Sequence, residues 1–352
     1  MFDTTLISTP VWNTEKVIGE TIMMHRNPDG TACASLLFVP EEIISITDLS
    51  GTVSYEEGKD WEFRDGKIHL LPGTRIDSIT DEELYPAVHE EGKSFPKPGG
   101  YSLWTQGALM VVRQIHVTYT CKNGQWTGVR PTSAKAMLPR TFQALENKQP
   151  LTILLNGDSI SAASQVSKTL NIPPYQPGYG PMLIQSLEAR YGCSINYVNT
   201  SVGGKDTNWA VENIEENINV HNPDLVIIAF GMNDGRKTPE EFEERIRTMV
   251  KLIREKHPLV EFILVATSLP NPVLTSPEAP FWGNQQYFLG SLNAIAEDPA
   301  MGGGIVVANI SDMHRYLLSK KSFQDLTSNN VNHPNDFFYR CYAQFLYGML
   351  EG

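Results

Sequence analysis

Residues 151–159 read Leu-Thr-Ile-Leu-Leu-Asn-Gly-Asp-Ser, and this stretch decides the fold. Its opening run, LTILL, lacks the apolar–polar alternation of a half-exposed strand. A strand built from it is buried on both faces, as in a parallel sheet covered by helices. Four later runs share that character: INYVN (195–199), LVIIAF (225–230), FILVAT (262–267) and GIVVANI (304–310). Helical stretches lie between them, the clearest being TPEEFEERIRTMVKLIREKH (238–257). There Thr238, Pro239 and Glu241 make a capping-box start, and Phe242, Ile246, Met249, Val250 and Ile253 fall on one face. Five buried strands alternating with helices predict a doubly wound α/β domain over residues 149–352. In such sheets ligands bind beyond the carboxyl ends of the strands, so the residues that follow each apolar run are the candidates for chemistry.

Upstream the rhythm changes. ASLLFVP (34–40), ISITDLSG (44–51), TVSYEEG (52–58), DWEFRDGKIHLL (60–71) and IHVTYTC (115–121) are short β-rich runs. Asx-Gly pairs at Asp29-Gly30, Asp65-Gly66 and Asn123-Gly124 mark turns, with a two-residue hairpin expected at Asp65-Gly66. Residues 1–148 therefore predict an all-β sandwich, jelly-roll-like. Residues 81–100, rich in Glu, Pro, Gly and Lys, read as a long loop; PTSAKAMLP (131–139) reads as a strand and ALENKQP (144–150) as a linker.

The 352 residues carry 28 bases against 40 acids, a formal charge of −12, split evenly between the halves. Polyanion binding needs clustered Lys and Arg, and no such cluster is present, so a nucleic-acid partner is not expected. Cys33, Cys121, Cys193 and Cys341 are far apart without a CxxC pair, which argues against a structural zinc site or a disulfide framework. The N-terminus has neither a basic region nor an apolar one of signal-peptide type, and no apolar run reaches about 18 residues. A cytoplasmic protein without membrane spans is expected, with no metal and no cofactor.

Four strand-end segments carry polar groups suited to catalysis. After the first run come Asn156-Gly157-Asp158-Ser159, where a hydroxyl can face the crevice. After the second come Thr200-Ser201-Val202-Gly203-Gly204-Lys205, whose glycines let backbone N–H groups approach a ligand. This is not a phosphate loop, because residue 199 is Asn and Lys205 is followed by Asp206. After the third come Gly231-Met232-Asn233-Asp234, with an uncharged amide donor. Near the C-terminus, Asn330-Val331-Asn332-His333-Pro334-Asn335-Asp336 precedes the apolar run FFYRCYAQFLYGML, placing His333 on a loop at a helix entry, where it can act as a general base. Each segment alone has an ordinary reading as a turn or helix cap. Gly178-x-Gly180 lacks the third glycine of a dinucleotide fingerprint.

Together and in order, these segments resemble the blocks of the SGNH (GDSL-type) hydrolase superfamily: Gly157-Asp158-Ser159, Asn199-x-Ser201-x-x-Gly204, Gly231-x-Asn233-Asp234 and His333. The resemblance implies a flavodoxin-like three-layer α/β/α domain and metal-free ester hydrolysis. In it Ser159 is the nucleophile and His333 the base, and the oxyanion donors are Ser159 N–H, Gly204 N–H and the Asn233 side chain. A β-sandwich ahead of such a domain is also similar to two-domain carbohydrate esterases that remove acetyl groups. The implied substrate is a small-molecule or oligosaccharide ester. A lipase- or thioesterase-like acylhydrolase, an acyltransferase and a decayed carbohydrate-binding protein are the alternatives. The chain departs from the family at residue 330, where the usual acid of the DxxH block is Asn330. Three orienting groups for His333 stay open: a backbone carbonyl, the Asn330 amide oxygen, and Asp336 or a distant carboxylate. Asp336 is otherwise expected to cap the last helix. Pro173–Gly180, Trp209 and Phe281-Trp282 are the expected pocket walls.

Overall fold

A computed structural model describes residues 2–275 and 283–352. The five apolar runs form one all-parallel sheet of β1 (Leu151–Gly157), β2 (Ile195–Asn199), β3 (Leu225–Ala229), β4 (Glu261–Ala266) and β5 (Ile305–Asn309), in the order β2-β1-β3-β4-β5. This is the flavodoxin-like strand order, whose switch point lies between the first and third strands. The helices that connect or cover the sheet are α1 (Tyr179–Tyr191), α2 (Thr207–Glu212), α3 (Pro239–Lys256), α4 (Phe288–Glu297), α5 (Ile310–Leu318) and α6 (Asp336–Leu350). Every residue of β3 and β4 is buried, as the lack of alternation requires. The α3 start has the expected capping box: Thr238 Oγ1 accepts the Glu241 N–H, and the Glu241 carboxylate accepts the Thr238 N–H.

Besides the two-stranded pair of Ser94–Lys97 and Gly100–Leu103, the described residues of the first half form two larger sheets. One is antiparallel, in the order 16–22, 115–121, 40–48 and 54–55; the other joins 61–64, 67–70, 32–35, 25–26 and 79–80. Buried residues of both, including Val17, Ile46, Val117, Trp61 and Ile68, share one hydrophobic cluster, as two packed sheets must. The Asp65-Gly66 hairpin is present, with φ of 52° and 75° at its two turn residues, the signs a type I′ turn demands. That cluster continues into the α/β half through Leu155, Met182 and Phe345. Polar ties cross as well: Glu20 and Lys321 form a fully buried ion pair, and the Tyr119 hydroxyl donates to the same carboxylate at 2.6 Å.

Four local expectations are corrected. PTSAKAMLP is not a strand and ALENKQP is not a plain linker, because Pro139–Glu146 is a helix. Pro139 suits the first helical position, and the Glu261 carboxylate accepts the N–H groups of Arg140 and Thr141 at 3.0 and 2.8 Å, satisfying donors that the helix start leaves open. The stretch 81–100 is not a structureless loop. Asp81–Leu84 is a capped helical turn, and Ser94–Lys97 pairs antiparallel with Gly100–Leu103. Finally, ASLLFVP keeps strand geometry only to Ser35; Leu36, Leu37 and Phe38 enter the core irregularly, with the Leu37 N–H held by Glu20 and the Phe38 N–H by the Tyr119 hydroxyl.

Candidate active site

β1 ends at Gly157, and the chain turns at once to present Ser159 at the carboxyl edge of the sheet. The turn leaves no room for a side chain at 157: a Cβ there would lie 2.4 Å from Ser161 Oγ and 2.5 Å from the Ala229 carbonyl oxygen. Asp158 is fully buried and accepts the Ile160 N–H at 2.9 Å. Burial, reinforced by nearby Asp234, raises its pKa to about 7.

Ser159 is 8% exposed, and its Oγ lies 2.9 Å from His333 Nε2, although 174 positions separate them. The His333 loop is fixed by fully buried Asn329, whose Oδ1 accepts the N–H groups of Val331, Asn332 and His333 at 2.9, 2.9 and 3.0 Å. The other ring nitrogen, Nδ1, lies 2.6 Å from Gln165 Oε1. Gln165 Nε2 in turn donates to the carbonyls of Thr105 at 2.8 Å and Gly107 at 3.5 Å. Those carbonyls only accept, so the amide NH2 must face them and Oε1 must face the imidazole. Nδ1 therefore carries the proton, and the Nε2 lone pair points at the Ser159 hydroxyl. Burial lowers the His333 pKa to about 4. The ring is a neutral base over the whole physiological range.

The glycine turn after β2 and the Asn233 segment after β3 meet beside the nucleophile. Among the described residues, the N–H groups of Ser159 and Gly204 donate to no protein acceptor. Gly204 has φ of 75°, and a Cβ on Gly203 would lie 3.7 Å from Ser159 Cβ, so the glycine turn lies against the nucleophile. Asn233 Nδ2 donates one hydrogen to the Lys205 carbonyl at 2.9 Å, fixing the amide against that turn and leaving its second hydrogen available. Asp234 beside it is buried and holds the Thr207 N–H and hydroxyl at 3.0 and 2.5 Å and Lys237 at 3.1 Å. Among the described residues no cluster of His, Cys, Asp or Glu is arranged to hold a metal ion.

The family model of the GDSL-like lipase/acylhydrolases matches residues 155–341, more than half of the chain. The chain belongs to the GDSL-like lipase/acylhydrolase family. An arylesterase of Vibrio mimicus is 28% identical over 105 residues, which cover 29% of this chain and 48% of that protein. The match thus spans about half the length of that curated relative. Among solved structures, a two-domain esterase active on acetylated mannans aligns with a TM-score of 0.50 and 19% identity, covering 64% of this chain and 54% of that one. An acetylxylan esterase from Geobacillus stearothermophilus aligns with a TM-score of 0.45 and 20% identity, covering 56% and 92%.

Within this family member the orienting group departs from all three expectations. Asn330 is fully buried, with φ of 62°, and its amide is used elsewhere. Its Oδ1 accepts from Gln324 at 2.8 Å and Asn271 at 3.2 Å, while its Nδ2 donates to Ser102 Oγ at 3.3 Å and the Leu103 carbonyl at 3.2 Å. Asp336 accepts from the N–H and hydroxyl of Ser167 at 2.9 and 2.5 Å, and Asn335 rather than Asp336 is the α6 cap. No backbone carbonyl is needed at Nδ1, because Gln165 fills that position. Gln165 carries no motif and stands in a left-handed backbone conformation, φ 62°, in an irregular loop, so only the assembled fold reveals it. Of the expected walls, Trp209 lies under Lys205 at 5.5 Å, and Phe281-Trp282 lie outside the described residues.

Proposed function

We propose that the protein is a serine esterase that hydrolyses short-chain acyl esters, acetyl esters of carbohydrates in particular. The observation that carries this reading is the Ser159 Oγ–His333 Nε2 contact of 2.9 Å, with the ring held as the Nδ1–H tautomer. His333 Nε2 takes the hydroxyl proton as Ser159 Oγ bonds to the ester carbonyl carbon. The carbonyl oxygen becomes an oxyanion, facing the N–H groups of Ser159 and Gly204 and the Asn233 amide. The imidazolium then gives its proton to the departing alcohol, leaving acyl-Ser159. Water, deprotonated by the same nitrogen, repeats the sequence and releases the acid. Gln165 accepts from Nδ1 throughout but adds no charge, so the imidazolium is stabilised less than in a triad with a carboxylate.

Family membership supports the acylhydrolase class. The fold shared with an esterase active on acetylated mannans motivates the carbohydrate ester, as does the aromatic pair Phe95–Trp104 packed beside Val331 two residues before the base. The test is hydrolysis of p-nitrophenyl acetate, butyrate and octanoate, together with acetate release from acetylated manno- and xylo-oligosaccharides. Acetate turnover exceeding octanoate turnover by tenfold or more, with acetate released from at least one oligosaccharide, is the expected outcome. Preference for octanoate would replace this reading with a long-chain acylhydrolase.

A further inference from the structure

The Ser94–Lys97/Gly100–Leu103 strand pair belongs to the first half of the chain, yet the segment leaving it, 102–107, touches the loops that carry the base. It does so at three points. Thr105 and Gly107 offer their carbonyls to Gln165 Nε2. The Thr105 N–H donates to the Asn329 carbonyl at 3.4 Å, and Ser102 and Leu103 accept from Asn330. Trp104, with Phe95 at 5.0 Å and 49°, packs with Val273 on buried Leu274 and Val331. The direction of the Gln165 amide is consequential. Were it reversed, Oε1 would face two carbonyls and the NH2 would face Nδ1. Nδ1 would then have to accept, and the ring hydrogen would sit on Nε2, blocking removal of the serine proton.

We propose that segment 102–107 of the β half is a positioning element for His333: by holding the Gln165 amide in one orientation it selects the ring tautomer that can act as base. Gln165 is the relay, and Trp104 anchors the segment. This rests on reading Ser159 and His333 as nucleophile and base. It also gives the β half a role within the reaction besides any contact with substrate. The ionisable groups on the surrounding elements are engaged elsewhere. Asp158 holds the Ile160 N–H, Asp336 holds Ser167, Asp325 holds the Met23 N–H, Lys93 pairs with Glu90, Lys97 lies over Tyr85, His89 bonds Ser94, and Lys205 lies over Trp209. The ring is therefore governed by its neutral partners and by exclusion of water, both of which the segment provides.

The experiment loosens the segment without altering the α/β half. Trp104→Ala, and the milder Phe95→Leu in case the former does not fold, are compared with wild type and Trp104→Phe in the full chain, with folding checked by circular dichroism. Two readouts are taken: the pH dependence of kcat/KM for p-nitrophenyl acetate, and the 15N shifts of His333, assigned by difference from His333→Ala. The expected result is a kcat at least tenfold lower in Trp104→Ala. Its acidic limb should move up from about pH 4 toward the ordinary histidine value near 6.5, and its Nδ1–H signature should be lost or mixed. Trp104→Phe should restore all three. A lower rate with limb and tautomer unchanged would mean that Trp104 supports substrate or fold only, overturning the proposal. Ser159→Ala serves as the separate control: if it retains activity the nucleophile assignment fails, whatever the segment variants do.

Discussion

Replacing Gln165 by Ala removes the acceptor at His333 Nδ1, and the structure sets the size of the loss. The 2.6 Å contact is half-buried and becomes charge-assisted once the ring is protonated in the transition state. Hydrogen bonds to charged groups contribute about 1.5–3 kcal/mol, which is on the order of 10- to 150-fold in kcat. Water entering the vacated space should recover part of this and place the loss toward the lower end. The same water rehydrates the ring. In the intact protein the His333 pKa is about 4 because burial disfavours the charged form, so the base is competent at every pH above that value. In the variant the acidic limb of kcat/KM should therefore rise toward, and not beyond, about 6.5. The folding linkage has the matching sign. A base with a depressed folded pKa contributes stability that grows as pH rises from about 4 to 6.5, and the variant should lose that rise. Stopped-time hydrolysis of p-nitrophenyl acetate from pH 3.5 to 9, on protein whose folding is verified at each pH, measures both effects. A variant within twofold of wild type at pH 8, with its limb unmoved, would refute an orienting role for Gln165.

Asn330→Asp restores the usual residue of the DxxH block but should not restore a triad, because Asn330 Nδ2 donates to the Leu103 carbonyl and a carboxylate would repel it. A stability loss of about 1–3 kcal/mol by urea unfolding, with no gain in kcat, is expected. Asn233→Ala removes one of the proposed oxyanion donors and should lower kcat by about 10²–10³ with little change in KM, as read from initial rates on phenyl acetate. Gly157→Ala forces a methyl against the Ala229 carbonyl, which is backbone and cannot swing away. It should cost about 1–3 kcal/mol in thermal unfolding and more in activity, since the Ser159 turn must shift.

What could be read from the chain was what is local. Periodicity located all five parallel strands, and Thr238 and Glu241 located the start of α3, since a capping box is satisfied within four residues. Strand-end chemistry drew attention to Ser159, Gly204, Asn233 and His333, which the fold brings to one edge. The illegible parts depend on distant partners. The 139–146 helix needs the Glu261 carboxylate at its start, more than a hundred residues away. Gln165 draws its meaning from two backbone carbonyls near residue 106 and from an imidazole at 333. Asn330 looked like a substitute acid because of its spacing from His333, whereas burial and four amide contacts make it a structural bridge.

Covalent labelling tests the centre of this account most directly. Diisopropyl fluorophosphate should add once, at Ser159, with loss of p-nitrophenyl acetate hydrolysis in proportion to labelling, and His333→Ala should slow the addition by orders of magnitude. An adduct on another residue accompanied by the same inactivation, or full activity in a chain labelled at Ser159, would contradict the assignment of nucleophile and base.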